Sequence, residues 1–131
     1  MTEAIRAAAL WSGLLILLLI SLSGLVVRLR RRHMVGFGDG GNAQLTATGR
    51  AFGNASEYAP VGLAALILLA LIGAPALMVH GVGATLLTGR VVHALGLLFQ
   101  KGPSLGRVLG MILTWLALLA AAVGLIAFAV F

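Results

Sequence analysis

Arg50-Ala51-Phe52-Gly53-Asn54-Ala55-Ser56-Glu57-Tyr58-Ala59-Pro60 puts a cation, an amide and a carboxylate at the head of a long apolar segment. At about 100° per residue, positions 50, 54 and 57 fall within roughly 60° of one another on a helix. Tyr58 sits beside that stripe. Past Tyr58 no charge follows until Arg90, beyond a whole membrane thickness of chain. A cation and an anion on one face of such a helix are expensive in lipid. They should turn inward, towards partners or a ligand.

Composition supports a membrane setting for that helix. Of 131 residues, 61% are hydrophobic and 9% are charged, whereas ordinary soluble domains carry about 25% charged residues. Four apolar runs of about 20 residues, joined by short connections, leave no room for a separate soluble domain. The formal charge of +6 is mostly arginine. Its clustering at segment ends suits membrane topology and not nucleic acid. Without cysteine, disulfides, thiolate metal sites and a protein thiol nucleophile are excluded. Any thiol chemistry must use a thiol brought by a substrate.

The spacing predicts an all-α, up-down-up-down four-helix bundle over approximately residues 5–32, 48–72, 75–98 and 105–130. The first apolar run exceeds the h-region of a signal peptide, and no A-x-A-like site follows it. Residues 33–48 read as a glycine-rich flexible loop, with Thr46 or Thr48 capping the second helix. Gly36 to Gly41 resemble a phosphate loop only superficially, since no Gly-Lys-Ser/Thr ending follows. Pro60 should kink the second helix. Arg28, Arg30, Arg31, Arg32, Arg50, Lys101 and Arg107 stand at one side and Arg6 at the other. The positive-inside rule then puts both longer loops in the cytoplasm and both termini outside.

That topology brings Arg50, Asn54 and Glu57 to the same depth as Arg90 and His93 of the third helix, Arg107 of the fourth and Arg28 of the first. Arg90, His93 and Leu97 are spaced to share a face. A polar pocket richer in cations than anions suits a small anionic ligand, with one carboxylate left to hold an amine. No second metal ligand stands at useful spacing, so no metal site is expected.

Arg50-x-x-x-Asn54-x-x-Glu57-Tyr58-x-Pro60 resembles the signature helix of the MAPEG superfamily, the membrane-associated proteins of eicosanoid and glutathione metabolism. Gly89-Arg90-Val91-Val92-His93 and Arg28-Leu29-Arg30 are similar to segments of prostaglandin-synthesising members, and the short arginine-rich chain resembles bacterial ones. The resemblance implies a homotrimer with glutathione bound between neighbouring subunits, in a bacterial inner membrane. It implies that Arg28, Arg50, Asn54, Glu57, Tyr58, Arg90 and His93 bind or line the glutathione site. Arg107 would stabilise the thiolate, and a lipophilic electrophile would enter from the membrane lipids. The sequence departs from eicosanoid-metabolising members at Leu97, where they carry a tyrosine, and near Met111.

The implied function is a glutathione-dependent transferase or peroxidase. The alternative is a non-enzymatic membrane protein that binds a lipid or other anionic small molecule on the same fold. A transporter finds little support, since no inverted repeat is visible. Residue by residue, blander roles stay open. Arg50, Asn54 and Glu57 could form a structural polar network, and Arg90 could pair with Glu57. His93 could be a packing residue, Tyr58 an interfacial aromatic, Arg28 a topology signal and Arg107 a headgroup contact.

Overall fold

A computed structural model describes residues 1–99, 102 and 104–131 of the chain; Lys101 lies outside them. Four helices follow in order: α1 (Glu3–His33), α2 (Ala43–Leu71), α3 (Ala76–Phe99) and α4 (Leu105–Val130). Each is long and apolar enough to cross a membrane. They run alternately up and down. One end of the bundle therefore carries the α1–α2 and α3–α4 connections (the loop end). The other carries the Gly73–Pro75 connection and both termini (the turn end).

The helices start and stop where local chemistry says they should. Thr2, Asn42 and Ser104 cap α1, α2 and α4, each accepting a backbone N–H three residues on. Met34 ends α1 in the left-handed region, with φ 55°. The structure corrects the expected start of α2. Residues 43–48 are helical, because Asn42 caps the helix ahead of Thr46 and Thr48. Thr46 instead donates to Asp39 Oδ2 at 2.6 Å, and Thr48 to the Gln44 carbonyl at 2.8 Å. The connection is thus a short turn, closed through Gly40 and Gly41 at φ 58° and 75°. α2 runs on through Pro60 without a break.

α2 and α3 form the middle of the bundle. α1 packs on both, α4 packs on both, and α1 and α4 do not pack on each other among the described residues. Accordingly 39% and 44% of the apolar spans of α2 and α3 are buried, against 11% and 22% for α1 and α4. The outer faces of α1 and α4 show Leu17, Ile20, Leu119 and Ile126. In a water-soluble protein such a surface would aggregate; here it suits lipid or another copy of the chain.

Packing differs along the bundle. Towards the turn end, Leu15, Leu66, Leu69, Val79 and Leu86 are fully buried among alanines of all four helices. Leu86 lies on Gly62, where any side chain would displace it. Trp11 lies across Gly83 and donates its indole N–H to His80 Nδ1 at 3.0 Å. That contact gives His80 a structural role, fastening α1 to α3. Towards the loop end α3 and α4 meet backbone to backbone. A Cβ on Gly110 would lie 2.5 Å from the His93 nitrogen, and one on Gly96 would lie 2.7 Å from the Arg107 nitrogen. Small residues permit this approach, as close helix packing in lipid requires.

Candidate functional site

The glycine contact between α3 and α4 decides where the site's side chains go. It brings the Arg90 guanidinium beside the first turns of α4, and Arg90 is only 1% exposed. Its Nε donates to Thr114 Oγ1 at 2.8 Å and Nη1 to Asn54 Oδ1 at 2.6 Å. Nη2 reaches the Gly110 carbonyl at 3.4 Å and Met111 Sδ at 3.3 Å. The guanidinium carbon lies 4.9 Å from the centre of the Tyr58 ring, within cation–π range. One buried cation thus ties α2, α3 and α4 together.

In front of this hub lies a polar cavity of about 280 Å³. α2 lines it with Arg50, Asn54 and Glu57, α3 with His93 and Leu97, and α4 with Arg107. Gly49 and Gly53 complete the α2 wall, and a Cβ on either would meet nothing within 4 Å. The missing side chains therefore leave room that a ligand can use. Arg107 also donates to the Gly102 carbonyl at 3.1 Å. Ser104 holds the start of α4 in place through the Gly96 carbonyl, at 3.3 Å. A larger groove of about 960 Å³ adjoins, sharing Arg50, Leu97 and Arg107 and continuing over Ala47, Leu98 and Phe99 to Thr46 of α2 and Asp39 of the α1–α2 turn. Small-molecule sites usually span about 300–1,000 Å³, so the two spaces fit a compact polar ligand beside a bulkier one.

A family model for the MAPEG family matches residues 8–127. The chain belongs to the MAPEG family. The inner membrane protein YecN of Escherichia coli strain K12 is 41% identical over 112 residues, which cover 86% of this chain and 84% of that protein. YecN of a second Escherichia coli strain, O6:H1, matches to the same extent. No solved structure matches the chain. The likeness read from helices two and three thus extends over residues 8–127, and the described residues form an all-helical membrane protein with four apolar helices.

Within this MAPEG bundle, Arg50, Asn54, Glu57, His93 and Arg107 come together around one cavity. Tyr58 and Arg90 stand behind that wall, Arg90 bonded to Asn54 and not to Glu57. Arg28 is exposed on α1 and does not line the cavity. Thr114, Gly49, Gly53, Gly89 and Gly110 had no role assigned from the sequence, although Gly53 and Gly89 stand inside the motifs quoted above. Gly49-x-x-x-Gly53 and Gly106-x-x-x-Gly110 were the available signals. Thr114 gave none, since a lone threonine in an apolar helix most often bonds its own backbone.

Proposed function

We propose that this protein is a glutathione-dependent transferase or peroxidase of the bacterial inner membrane, acting on a lipophilic electrophile. The observation that carries this reading is the charge pattern of the cavity wall. Glu57 is its one carboxylate, and Arg50 and Arg107 are its cations. Glutathione presents two carboxylates, an ammonium and a thiol. Arginine forks take carboxylates in bidentate fashion, and Glu57 takes the ammonium. Family membership and the YecN relatives support the setting, and the positive-inside rule puts the cavity on the cytoplasmic side. The exposed apolar faces of α1 and α4 suit a homotrimer, in which Arg28 would reach a neighbour's cavity.

The chemistry follows from placing a thiol beside Arg107. A free thiol ionises near pH ~8.5, and an adjacent guanidinium lowers that value. The thiolate sulfur then attacks an electrophilic carbon held in the adjoining groove. A C–S bond forms, and the opened ring or leaving group takes the electron pair and a proton. With a hydroperoxide the sulfur attacks oxygen, the O–O bond breaks and an alcohol leaves. A second thiol reduces the resulting sulfenic acid to a disulfide and water. His93 lines the site without a bonding step of its own.

Calorimetric titration of glutathione into the detergent-purified protein tests the reading. Saturable binding, weakened about tenfold or more (about 1.4 kcal/mol) in Glu57→Gln and Arg50→Ala, is expected. Absence of binding up to roughly 10 mM, about 5.5 kcal/mol weaker than a micromolar site, overturns it. One feature favours a second reading, binding without turnover. Leu97 lines the cavity and offers no hydroxyl to the thiolate. Sustained thiol consumption with an electrophile present separates the two.

A further inference from the structure

Every acceptor around Arg90 is neutral: a threonine hydroxyl, a side-chain amide, a carbonyl and a thioether. A buried cation without a counter-charge is costly, so the protein keeps it for something other than an ion pair. What it does to Asn54 is fixed by chemistry. A guanidinium only donates. The Asn54 amide must therefore turn its oxygen to Arg90 Nη1, as the 2.6 Å bond requires. The other end of that planar amide, Nδ2 with its two N–H donors, is left for the cavity that Asn54 lines. Thr114 holds the arrangement from behind. Its hydroxyl hydrogen goes to the Gly110 carbonyl at 2.7 Å, which leaves a lone pair for Arg90 Nε at 2.8 Å. Tyr58 covers the guanidinium face. Thr114 does not line the cavity.

We propose that Arg90 and Thr114 are a positioning pair. They lock the Asn54 side chain so that its amide N–H groups face the cavity as donors, and these bind an acceptor oxygen of the ligand, a carboxylate or a peptide carbonyl. The ligand's identity as glutathione rests on the function proposed above; the lock itself does not. Arg90 acts through Asn54 and does not touch the ligand.

A double-mutant cycle with glutathione as the probe tests the coupling. Thr114→Val should weaken binding about fivefold, the worth of one hydrogen bond. Thr114→Ser, which restores the hydroxyl, should stay within about twofold of the wild type. In an Asn54→Ala background, Thr114→Val should add less than about twofold, since the group it positions is gone. Equal losses in both backgrounds, or none in either, overturn the proposal. If Thr114→Val does not stay folded, Arg90→Lys serves in its place, because one ammonium nitrogen replaces the two guanidinium nitrogens that reach Thr114 and Asn54 separately. The lock is also measured without ligand, from the order parameter of the Asn54 side-chain amide by nitrogen-15 relaxation. It should be rigid in the wild type and Thr114→Ser and mobile in Thr114→Val. A mobile wild-type amide overturns the positioning pair whatever binds. A rigid amide that follows this pattern, in a protein that binds no glutathione, supports the pair and sinks only the choice of ligand.

Discussion

The two ends of the bundle are held together by different means. At the turn end, leucines and valines fill space among alanines, and Leu86 and Trp11 rest on the glycines of facing helices. At the loop end, a single guanidinium from α3 donates hydrogen bonds to α2 and α4, while α3 and α4 touch backbone to backbone. Apolar packing tolerates exchange of one side chain for another of similar volume. A polar hub does not, since each of its atoms has an assigned partner. The groups left over from that assignment, Glu57, Arg50 and the Asn54 amide nitrogen, line the cavity together with His93 and Arg107. The turn end holds the helices in register, and the loop end uses that register to leave selected polar groups for a ligand.

The contrast is tested most severely at Arg90. Arg90→Ala removes a buried side chain and strands the acceptors around it. A loss of about 3 kcal/mol or more in folding stability is expected, with glutathione binding lost as well. Thermal unfolding in detergent and calorimetry check the two halves of that statement. Leu69→Ala should cost about 2–3 kcal/mol through its cavity, yet leave glutathione affinity within about twofold, since Leu69 stands roughly 18 Å along α2 from Glu57 and sites that far apart add independently. A matching loss of affinity would mean that the two ends are not separable. Gly110→Ala should cost about 1–3 kcal/mol, because its Cβ meets the backbone of His93 and Gly89 and the fixed Cβ of His93, none of which can swing away. Gly13→Ala, with nothing within 4 Å, should instead gain up to about 1 kcal/mol of helix propensity. A loss at Gly13 would place a second chain against α1.

The turn end was readable in the sequence and the loop end only partly so. Run length, charge position and the short Gly73–Pro75 connection were enough for four antiparallel helices, because a membrane permits few other solutions. The stripe of Arg50, Asn54 and Glu57 followed from helical period alone. Which polar group meets which did not. Arg90 was open between Glu57 and a ligand until the approach of α3 to α4 was known, and that approach depends on Gly89 and Gly110 facing each other across two helices. A one-dimensional pattern gives the face of a residue and not the reach of its side chain. The early start of α2 escaped for a related reason. Thr46 and Thr48 were the expected caps, but Asn42 stands ahead of both, and Asp39, outside the helix, takes up the Thr46 hydroxyl.

Asp39 supplies the smallest predicted effect and the one that asks how the loop end begins. The Thr46 hydroxyl, and then the Gly41 N–H, hold its carboxyl below the ordinary carboxylate value. A depressed value in the folded state means that the contribution is present above the ordinary range, near pH ~4, and is lost as pH falls through the folded value. Amide exchange at Gly41 and Thr46, corrected for its intrinsic pH dependence, should therefore quicken relative to α3 as the solution is acidified. Asp39→Asn keeps an oxygen for the Gly41 N–H but cannot ionise, so it should flatten that response. Asp39 is only partly buried, in a turn outside the four helices, and the midpoint of global unfolding should not move. If exchange at Thr46 ignores both acid and the substitution, the Asn42 cap alone sets the first turn of α2. The wall of the larger groove at Asp39 would then be held by nothing but the turn's own glycines.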